Sequence, residues 1–174
     1  SRQTVGKASS FSIDQMITKT LNLLINQALF QDIEVKKTFQ PDMQEMTGDL
    51  GQLQQVFTNL FINAADAMKG KGKLNISATY DSSKNLFITT VSDSGPGIPK
   101  ELRDKIFDMF FTTKPVGKGT GLGLSISQKI INLHGGNILV DSPPEGGTRF
   151  IVELPLGFVE QPDEEPVFIG LDDA

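Results

Sequence analysis

The sequence contains no cysteine among its 174 residues. The chain therefore forms no disulfide, binds no metal through a thiolate and uses no cysteine nucleophile, a composition that suits a reducing compartment. No apolar run reaches the 18 residues of a membrane span, and no signal-peptide pattern opens the sequence. We expect a cytoplasmic domain, whether or not the longer protein is anchored in a membrane. With 38% hydrophobic residues, the chain can bury one core.

Basic residues are absent from the end of the sequence. Residues 160–174 hold six acidic side chains, and the formal net charge of −5 comes from this segment. The rest of the chain has 15 acidic and 16 basic residues, so it offers no basic surface for a nucleic acid. The single histidine, His134, ends a predicted helix, where a structural role beside the helix dipole is expected.

Hydrophobic periodicity and capping residues predict a chain of mixed helices and strands. The polar segment 1–10 is expected to fray. The predicted helices are 12–29, 49–68, 99–106 and 122–133. The predicted strands are 33–39, 73–80, 86–92, 137–141 and 148–154, and residues 108–120 are predicted to form a loop.

The predicted helix after Asp49 carries a narrow polar stripe beside a broad apolar arc that must face a core. The stripe consists of Gln52, Gln55, Asn59, Asn63 and Asp66. Asparagine inside a helix costs roughly 0.6 kcal/mol relative to alanine, so two in one stripe suggest a function. A carboxamide oxygen suits Mg²⁺ that bridges nucleotide phosphates, whereas the alternative is a solvated polar face.

Two glycine clusters flank a segment rich in phenylalanine. The first, D-S-G-P-G, starts at Asp93 after a predicted strand, and the second, G-K-G-T-G-L-G-L, leads into a predicted helix. Glycine lets the backbone approach a ligand closely, and N–H groups at a helix start can cradle phosphate. An ionised Asp93 only accepts hydrogen bonds and can therefore select the exocyclic amine of adenine. A turn-capping aspartate is the alternative interpretation.

Together these motifs resemble those of sensor histidine kinases. Residues 55–68, Q-V-F-T-N-L-F-I-N-A-A-D-A-M, resemble the N box, and residues 93–97 resemble the G1 box. F-D-M-F-F at 107–111 resembles the F box, 117–124 the G2 box, and G-G-T-R-F-I-V-E-L-P at 146–155 the closing strand. The similarity runs from about Phe11 to Pro155, and the short loop before the G2 box is most similar to the nitrogen-regulation type.

The resemblance implies a fold as well as a function. The fold is an α/β (α+β) two-layer sandwich, in which helices pack on one face of a mixed, mostly antiparallel sheet. This is the Bergerat ATP-binding fold, which gyrase, mismatch-repair and chaperone ATPases share. The implied domain organisation is an N-terminal linker at 1–10, the catalytic ATP-binding domain at 11–157, and an acidic tail or linker at 158–174.

The resemblance also implies a site for ATP and Mg²⁺. Asn63 would coordinate Mg²⁺ and Asn59 would lie beside the phosphates, while Asp93 would bind adenine with support from Thr148. Lys114 and Lys118 are candidate phosphate contacts, although solvated lysines are an equally good interpretation. The other implied nucleotide-binding residues are Asp66, Gly95, Gly97, Ile98, Gly119, Thr120, Gly121, Leu122, Gly123 and Leu124. The phenylalanines at 107, 110 and 111 are expected to pack the loop against the core.

Two residues refine the implied activity. Asn59 lies four positions before Asn63, where the related ATPases and anti-sigma-type serine kinases usually have a glutamate general base. A carboxamide does not accept a proton near neutral pH, which disfavours both activities. His134 lacks the sequence context of the family's phosphorylated histidine, so the acceptor is expected on a dimerisation hairpin upstream.

The expected function is therefore the catalytic domain of a protein-histidine kinase. It would transfer the γ-phosphoryl group of ATP to a histidine on the adjoining dimerisation domain, for relay to an aspartate of a response regulator receiver domain. The full-length protein is expected to be a homodimer, and no nucleic-acid or membrane contact is expected from this fragment. An anti-sigma-type serine kinase and a degenerate nucleotide-sensing scaffold are the alternatives.

Overall fold

The computed structural model describes residues 8–114 and 121–157. Three α-helices are present in this part of the chain: α1 (Ile13–Leu24), α2 (Leu50–Ala67) and α3 (Gly123–Leu133). Two short 3₁₀ helices cover Ala28–Phe30 and Lys100–Leu102. The strands are β1 (Ser9–Phe11), β2 (Asp32–Phe39), β3 (Met46–Gly48), β4 (Lys71–Asp81), β5 (Leu86–Asp93), β6 (Asn137–Asp141) and β7 (Thr148–Pro155).

Five of the strands form one sheet, in the order β2-β4-β5-β7-β6. β2 is parallel to β4, and the three other pairs are antiparallel. The helices pack on one face of this sheet, which confirms the predicted mixed, mostly antiparallel two-layer fold. β1 and β3 form a separate antiparallel pair.

The core lies between α2 and the sheet. The apolar arc of α2 is completely buried and consists of Leu53, Val56, Phe57, Leu60 and Phe61. It meets alternate residues of β4 and β5, whose intervening residues face the opposite side of the sheet, as the two-residue period of a strand requires. Burying five such side chains contributes on the order of 10 kcal/mol before chain entropy is subtracted.

Local capping sets the ends of α2. The Asp49 carboxylate accepts a hydrogen bond from the Gln52 backbone N–H at 3.1 Å, which satisfies a donor of the first turn. The helix ends at Ala67 and Gly70 follows with a φ of 76°, a conformation that ends helices. The predicted start and end of this helix are confirmed.

Three predictions of local structure need correction. Ser9 and Ser10 do not fray, because they pair with Gly48 and Thr47 in the two-stranded sheet. The first helix ends at Leu24, where the next bond, from the Gln27 N–H to the Leu24 carbonyl, is already of the 3₁₀ type. The predicted helix 99–106 is only a 3₁₀ turn followed by single turns.

Candidate functional site

A cavity of about 850 Å³ opens between α2, the carboxyl end of β5 and the start of α3. The structure brings most of the predicted site residues into its wall. These are Asn63, Asp66, Asp93, Gly97, Ile98, Lys114, Gly121, Gly123, Leu124 and Thr148. Lys118, Gly119 and Thr120 lie outside the described residues.

Asp93 ends β5 at the inner side of this cavity. Its side chain is only 6% exposed, and its Oδ1 accepts a hydrogen bond from the Gly95 backbone N–H at 2.9 Å. Burial raises the pKa of the Asp93 carboxyl, while hydrogen bonds from the backbone N–H groups of Gly95 and Thr148 act against that rise. A buried carboxylate on a cavity wall can stabilise a ligand that offers an N–H donor, and the N6 amine of adenine fits that requirement.

The turn between β6 and β7 lies directly against the end of β5. Gly147 has a φ of 83°, and a Cβ atom placed on it would lie 1.9 Å from the Asp93 carbonyl oxygen. The side chain of Ser142 donates a hydrogen bond to the Gly147 carbonyl at 2.6 Å, which fixes the turn from the other side. Only glycine permits this backbone contact, so the turn and the Asp93 backbone are held together.

Asn63 and Asn59 have different surroundings although they lie one turn apart on α2. Asn63 lines the cavity, where its carboxamide oxygen is of the type that Mg²⁺ accepts. Asn59 does not line the cavity. Its Nδ2 donates to the Gly123 carbonyl at 3.4 Å and to the Ser127 Oγ at 3.3 Å. Asn59 therefore ties α2 to the first two turns of α3.

The first turn of α3 faces the cavity through Gly121, Gly123 and Leu124. Leu122 occupies the N-cap position and supplies no side-chain cap, and the N-terminus of a helix favours an anion. Gly121 has a φ of 68°, and a Cβ atom on it would lie 2.4 Å from the Phe110 carbonyl carbon. The Phe110 N–H donates to the Gly121 carbonyl at 2.9 Å, so the backbones of these two residues are in direct contact.

The three phenylalanines of the F box do not share one role. Phe107 packs edge-on against Phe150 with ring centroids 6.3 Å apart, as expected of a residue that anchors the loop. Phe111 lines the cavity. Phe110 is 67% exposed and has a φ of 65°, so the prediction that it packs against the core is wrong. Its left-handed backbone, fixed by the contact with Gly121, turns the side chain outward.

Charged residues of both signs line the cavity. The Lys114 Nζ lies 2.6 Å from the Asp66 Oδ2, and both side chains are 34% exposed. Lys69, which the sequence did not single out, also lines the cavity. Among the described residues there is no group of three or more histidine, aspartate or glutamate side chains that could hold a metal ion.

Several wall residues were missed because they are apolar and lie far apart in the sequence. Leu102, Ile106 and Phe150 join Ile98 as apolar residues of the cavity wall. Leu102 and Ile106 are four residues apart after Pro99, a spacing that predicts a shared face. That spacing could not show whether the shared face met the core or a ligand.

His134 is a structural residue, as predicted. It is buried, its Nε2 accepts a hydrogen bond from the Asp49 backbone N–H at 3.0 Å, and its Nδ1 lies 2.8 Å from the Ile130 carbonyl. Because Nε2 accepts, Nδ1 carries the hydrogen that Ile130 receives. The imidazole therefore joins the end of α3 to the start of α2, away from the cavity.

Comparison with known proteins agrees with this geometry. Residues 48–157 match the family of histidine kinase-, DNA gyrase B- and HSP90-like ATPases. The chain is 41% identical over 162 residues to the sensor kinase CckA of Brucella abortus, which covers 84% of this chain and 17% of that protein. It is 39% identical over 144 residues to sporulation kinase A of Bacillus subtilis, covering 83% of this chain and 23% of that protein.

Solved structures extend the similarity to three dimensions. The nucleotide-free catalytic domain of the histidine kinase ThkA superposes with a TM-score of 0.78 at 34% identity, over 87% of this chain and 97% of that domain. A mycobacterial sensor histidine kinase, MprB, gives a TM-score of 0.73 at 27% identity, over 88% of this chain and 99% of that one. The chain belongs to the histidine kinase-, gyrase B- and HSP90-like ATPase family and, within it, to the catalytic domains of histidine kinases.

This assignment concerns one domain. The chain spans about a fifth of the length of the two curated relatives described above. In the part of the chain that the structure describes, no helix has the length and apolar character needed to cross a bilayer.

Proposed function

We propose that this chain binds ATP with Mg²⁺ and donates the γ-phosphoryl group to a histidine carried by another domain. The observation that best supports this proposal is the wall of a single cavity. A buried acceptor, Asp93, lines it, and so do Asn63 and the start of α3. A ligand that offers both an amine and phosphates would satisfy these groups together.

At the base-binding end, Asp93 would accept a hydrogen bond from the N6 amine of adenine. Thr148 pairs with Asp93 in the sheet register and lines the same wall, so it can support the base there. The apolar residues Ile98, Leu102 and Ile106 would cover the faces of the purine ring. Guanine carries a carbonyl at the equivalent position, and that carbonyl would face a carboxylate without a donor between them.

At the phosphate-binding end, the backbone amides of Gly121, Leu122, Gly123 and Leu124 would meet the phosphates at a helix start. Lys114 and the G2-box residues Lys118, Gly119 and Thr120 would add to this set. Asn63 would hold Mg²⁺, which neutralises phosphate charge when it is bound. Position and charge neutralisation are the catalytic contributions that this chain can make.

The phosphoryl acceptor is expected to lie elsewhere. An acceptor imidazole nitrogen would form the bond to the γ-phosphorus while the bond to the β,γ-bridging oxygen breaks, and ADP would leave. His134 cannot be that acceptor because it is buried in the joint between α2 and α3. Asn59 is engaged with α3 and is a carboxamide, so it cannot activate water or a serine.

We further propose the setting of this reaction. The acceptor would be a dimerisation hairpin of the same longer protein, which would act as a homodimer in the cytoplasm. The phosphoryl group would then pass from the histidine to an aspartate on the receiver domain of a response regulator.

Incubation with γ-labelled ATP tests the proposal. The chain alone should bind ATP yet remain unlabelled, and a separately added fragment with the acceptor histidine should become labelled. The expected label survives base and is lost in acid, as phosphohistidine is. The yield should be low, because the natural tether that raises the effective concentration is missing.

Two outcomes would contradict the proposal. Label on the isolated chain that disappears in the His134→Ala variant would make this chain its own acceptor. Acid-stable label on a serine of a partner would instead indicate the serine-kinase alternative.

A further inference from the structure

We propose that Asp66 is a positioning residue for Lys114 and thereby sets how strongly this domain distinguishes nucleotides by their number of phosphates. This inference rests on the proposed ATP-binding function and refines it. In it, Asp66 does not touch the nucleotide or the metal itself. It holds the Lys114 ammonium at the phosphate-facing side of the cavity while no nucleotide is bound.

The position of Asp66 on α2 is the first part of the evidence. Asp66 lies three residues after Asn63, so the two side chains are neighbours on the same face of the helix. Both line the cavity. An unpaired carboxylate at this place would repel the phosphates that Asn63 and the start of α3 are arranged to receive.

The contact with Lys114 is the second part. The Lys114 Nζ donates to the Asp66 Oδ2 at 2.6 Å, a short, charge-assisted hydrogen bond between residues 48 positions apart. The backbone N–H of Lys114 donates to the Thr112 Oγ1 at 3.0 Å, and this local turn directs the lysine toward α2. Asp66 and Lys114 thus connect the polar stripe of α2 with the segment that follows the F box.

The charge balance of the cavity wall is the third part. Among its described residues, Lys69 and Lys114 are basic and Asp66 and Asp93 are acidic. With Asp66 engaged, Lys114 contributes little positive field to an approaching anion. A phosphate must therefore compete with the Asp66 carboxylate for the ammonium, and only a nucleotide whose phosphates reach that far can compete.

Because both side chains are partly exposed, Lys114 can leave Asp66 for a nucleotide phosphate at little cost in free energy. Each is 34% exposed, and partly exposed ion pairs are weak. Removing the carboxylate should therefore raise affinity modestly, about two- to fivefold, for nucleotides that reach Lys114. It should not change the affinity for adenosine, because the adenine contacts at Asp93 are unaffected.

Calorimetric titration of the 174-residue chain with adenosine, AMP, ADP and ATP in the presence of Mg²⁺ tests this proposal. The variants are Asp66→Asn, Lys114→Gln and the double variant, with Asp104→Asn as a matched loss of one exposed carboxylate outside the cavity. Asp66→Asn should bind ATP more tightly, and Lys114→Gln should bind it less tightly. In the Lys114→Gln background, Asp66→Asn should raise ATP affinity less than it does in the unchanged chain, because only the direct repulsion between the carboxylate and the phosphates is then removed. Asp66→Glu should behave like the unchanged chain.

Other results of these titrations would contradict the proposal. If Asp66→Asn weakens ATP binding, or raises it as much in the Lys114→Gln background as in the unchanged chain, Asp66 does not act through Lys114 and the proposal is wrong. An Asp66→Asn affinity equal to that of the unchanged chain would also overturn it. If the unchanged chain binds none of the four ligands, the proposed function itself fails, and this result is distinct from all of the others.

Discussion

Asp93 is expected to affect nucleotide binding and the stability of the fold in opposite directions. Burial raises the pKa of its carboxyl above the usual value of 3.8, so the folded protein holds this proton more tightly than the unfolded chain does. The free energy of unfolding should therefore fall as pH rises from 3.8 through the raised pKa, and the loss is complete above that window. The ionised form is nonetheless the stronger acceptor for a hydrogen bond from an adenine amine.

The Asp93→Asn variant should separate the two contributions. It mimics the uncharged side chain, so at neutral pH we expect it to raise the free energy of unfolding of the nucleotide-free protein by about 1 kcal/mol. It should also weaken ATP binding by about 1–3 kcal/mol, because the amide adds a donor that competes at the adenine amine. Urea unfolding and calorimetry measure the two effects. A variant that loses both stability and binding would mark Asp93 as a structural capping residue.

Thr89 offers a test of the packing between β5 and α2. Its side chain is completely buried, and its hydroxyl has no hydrogen-bond partner within the described part of the protein. Valine has the same branched shape without the hydroxyl, so Thr89→Val should raise the free energy of unfolding by about 1 kcal/mol. Thr79→Val, at an exposed position on the neighbouring strand, should change it by less than about 0.5 kcal/mol. A destabilised Thr89→Val variant would show that the hydroxyl has a partner, such as a buried water.

At the scale of elements, the turn between β6 and β7 supports the wall of the cavity through a backbone contact with Asp93. Gly146 and Gly147 both have positive φ, at 97° and 83°, but their surroundings differ. A Cβ atom on Gly146 would meet nothing within 4 Å, whereas one on Gly147 would collide with the Asp93 carbonyl. The turn cannot easily move away, because Arg149 on β7 holds Asp141 on β6 through bonds of 2.8 and 2.6 Å.

Alanine at these two positions should therefore have unequal effects. Gly146→Ala should cost about 1 kcal/mol of stability, the strain of a left-handed backbone, and leave ATP affinity unchanged. Gly147→Ala should cost about 3 kcal/mol and also weaken ATP binding, because the ends of β5 and β7 must separate. Thermal unfolding and calorimetry of both variants make the comparison. Equal losses of stability and of ATP affinity in the two variants would mean that the backbone contact with Asp93 does not contribute to ATP binding.

Some elements of the fold could be predicted from the sequence and others could not. The limits of α2 were predictable because Asp49 and the apolar arc are local signals. β1 and β3 escaped prediction because each has three residues and their pairing joins segments 37 residues apart, as in Ser10 and Thr47. Asn63 and Asp93 were predicted as site residues from motif and chemistry, and both line the cavity. The contact of Lys114 with Asp66 depends on where two distant segments cross, which no local pattern records.

At the scale of the whole molecule, the described residues form a regular body of sheet and helices and a cavity rim with little regular structure. The central strands β4, β5 and β7 each pair on both sides, whereas residues 103–114 form neither helix nor strand. In hydrogen exchange, the amides of β4, β5 and β7 should therefore exchange slowest, and those of 103–114 should exchange fast.

Addition of ATP with Mg²⁺ should slow exchange at the cavity rim, in 93–114 and at the start of α3, and leave the β1–β3 pair unchanged. Mass spectrometry of peptides from the free and the nucleotide-bound chain would measure this difference. A uniform slowing over the whole chain would indicate global stabilisation instead of a local response. No change at the rim would contradict a role for it in nucleotide binding.

The joint at His134 has a spectroscopic consequence. The chain contains a single imidazole, so a nitrogen-15 magnetic resonance spectrum of the labelled domain will hold one pair of ring signals. Because Nδ1 carries the hydrogen and Nε2 does not, the two signals are well separated. Their positions report whether the hydrogen bonds of His134 with Asp49 and Ile130 are intact. An acceptor domain without nitrogen-15 gives no signal in such a spectrum. The ring thus serves as an intrinsic label that follows this catalytic domain through phosphoryl transfer without any engineered probe.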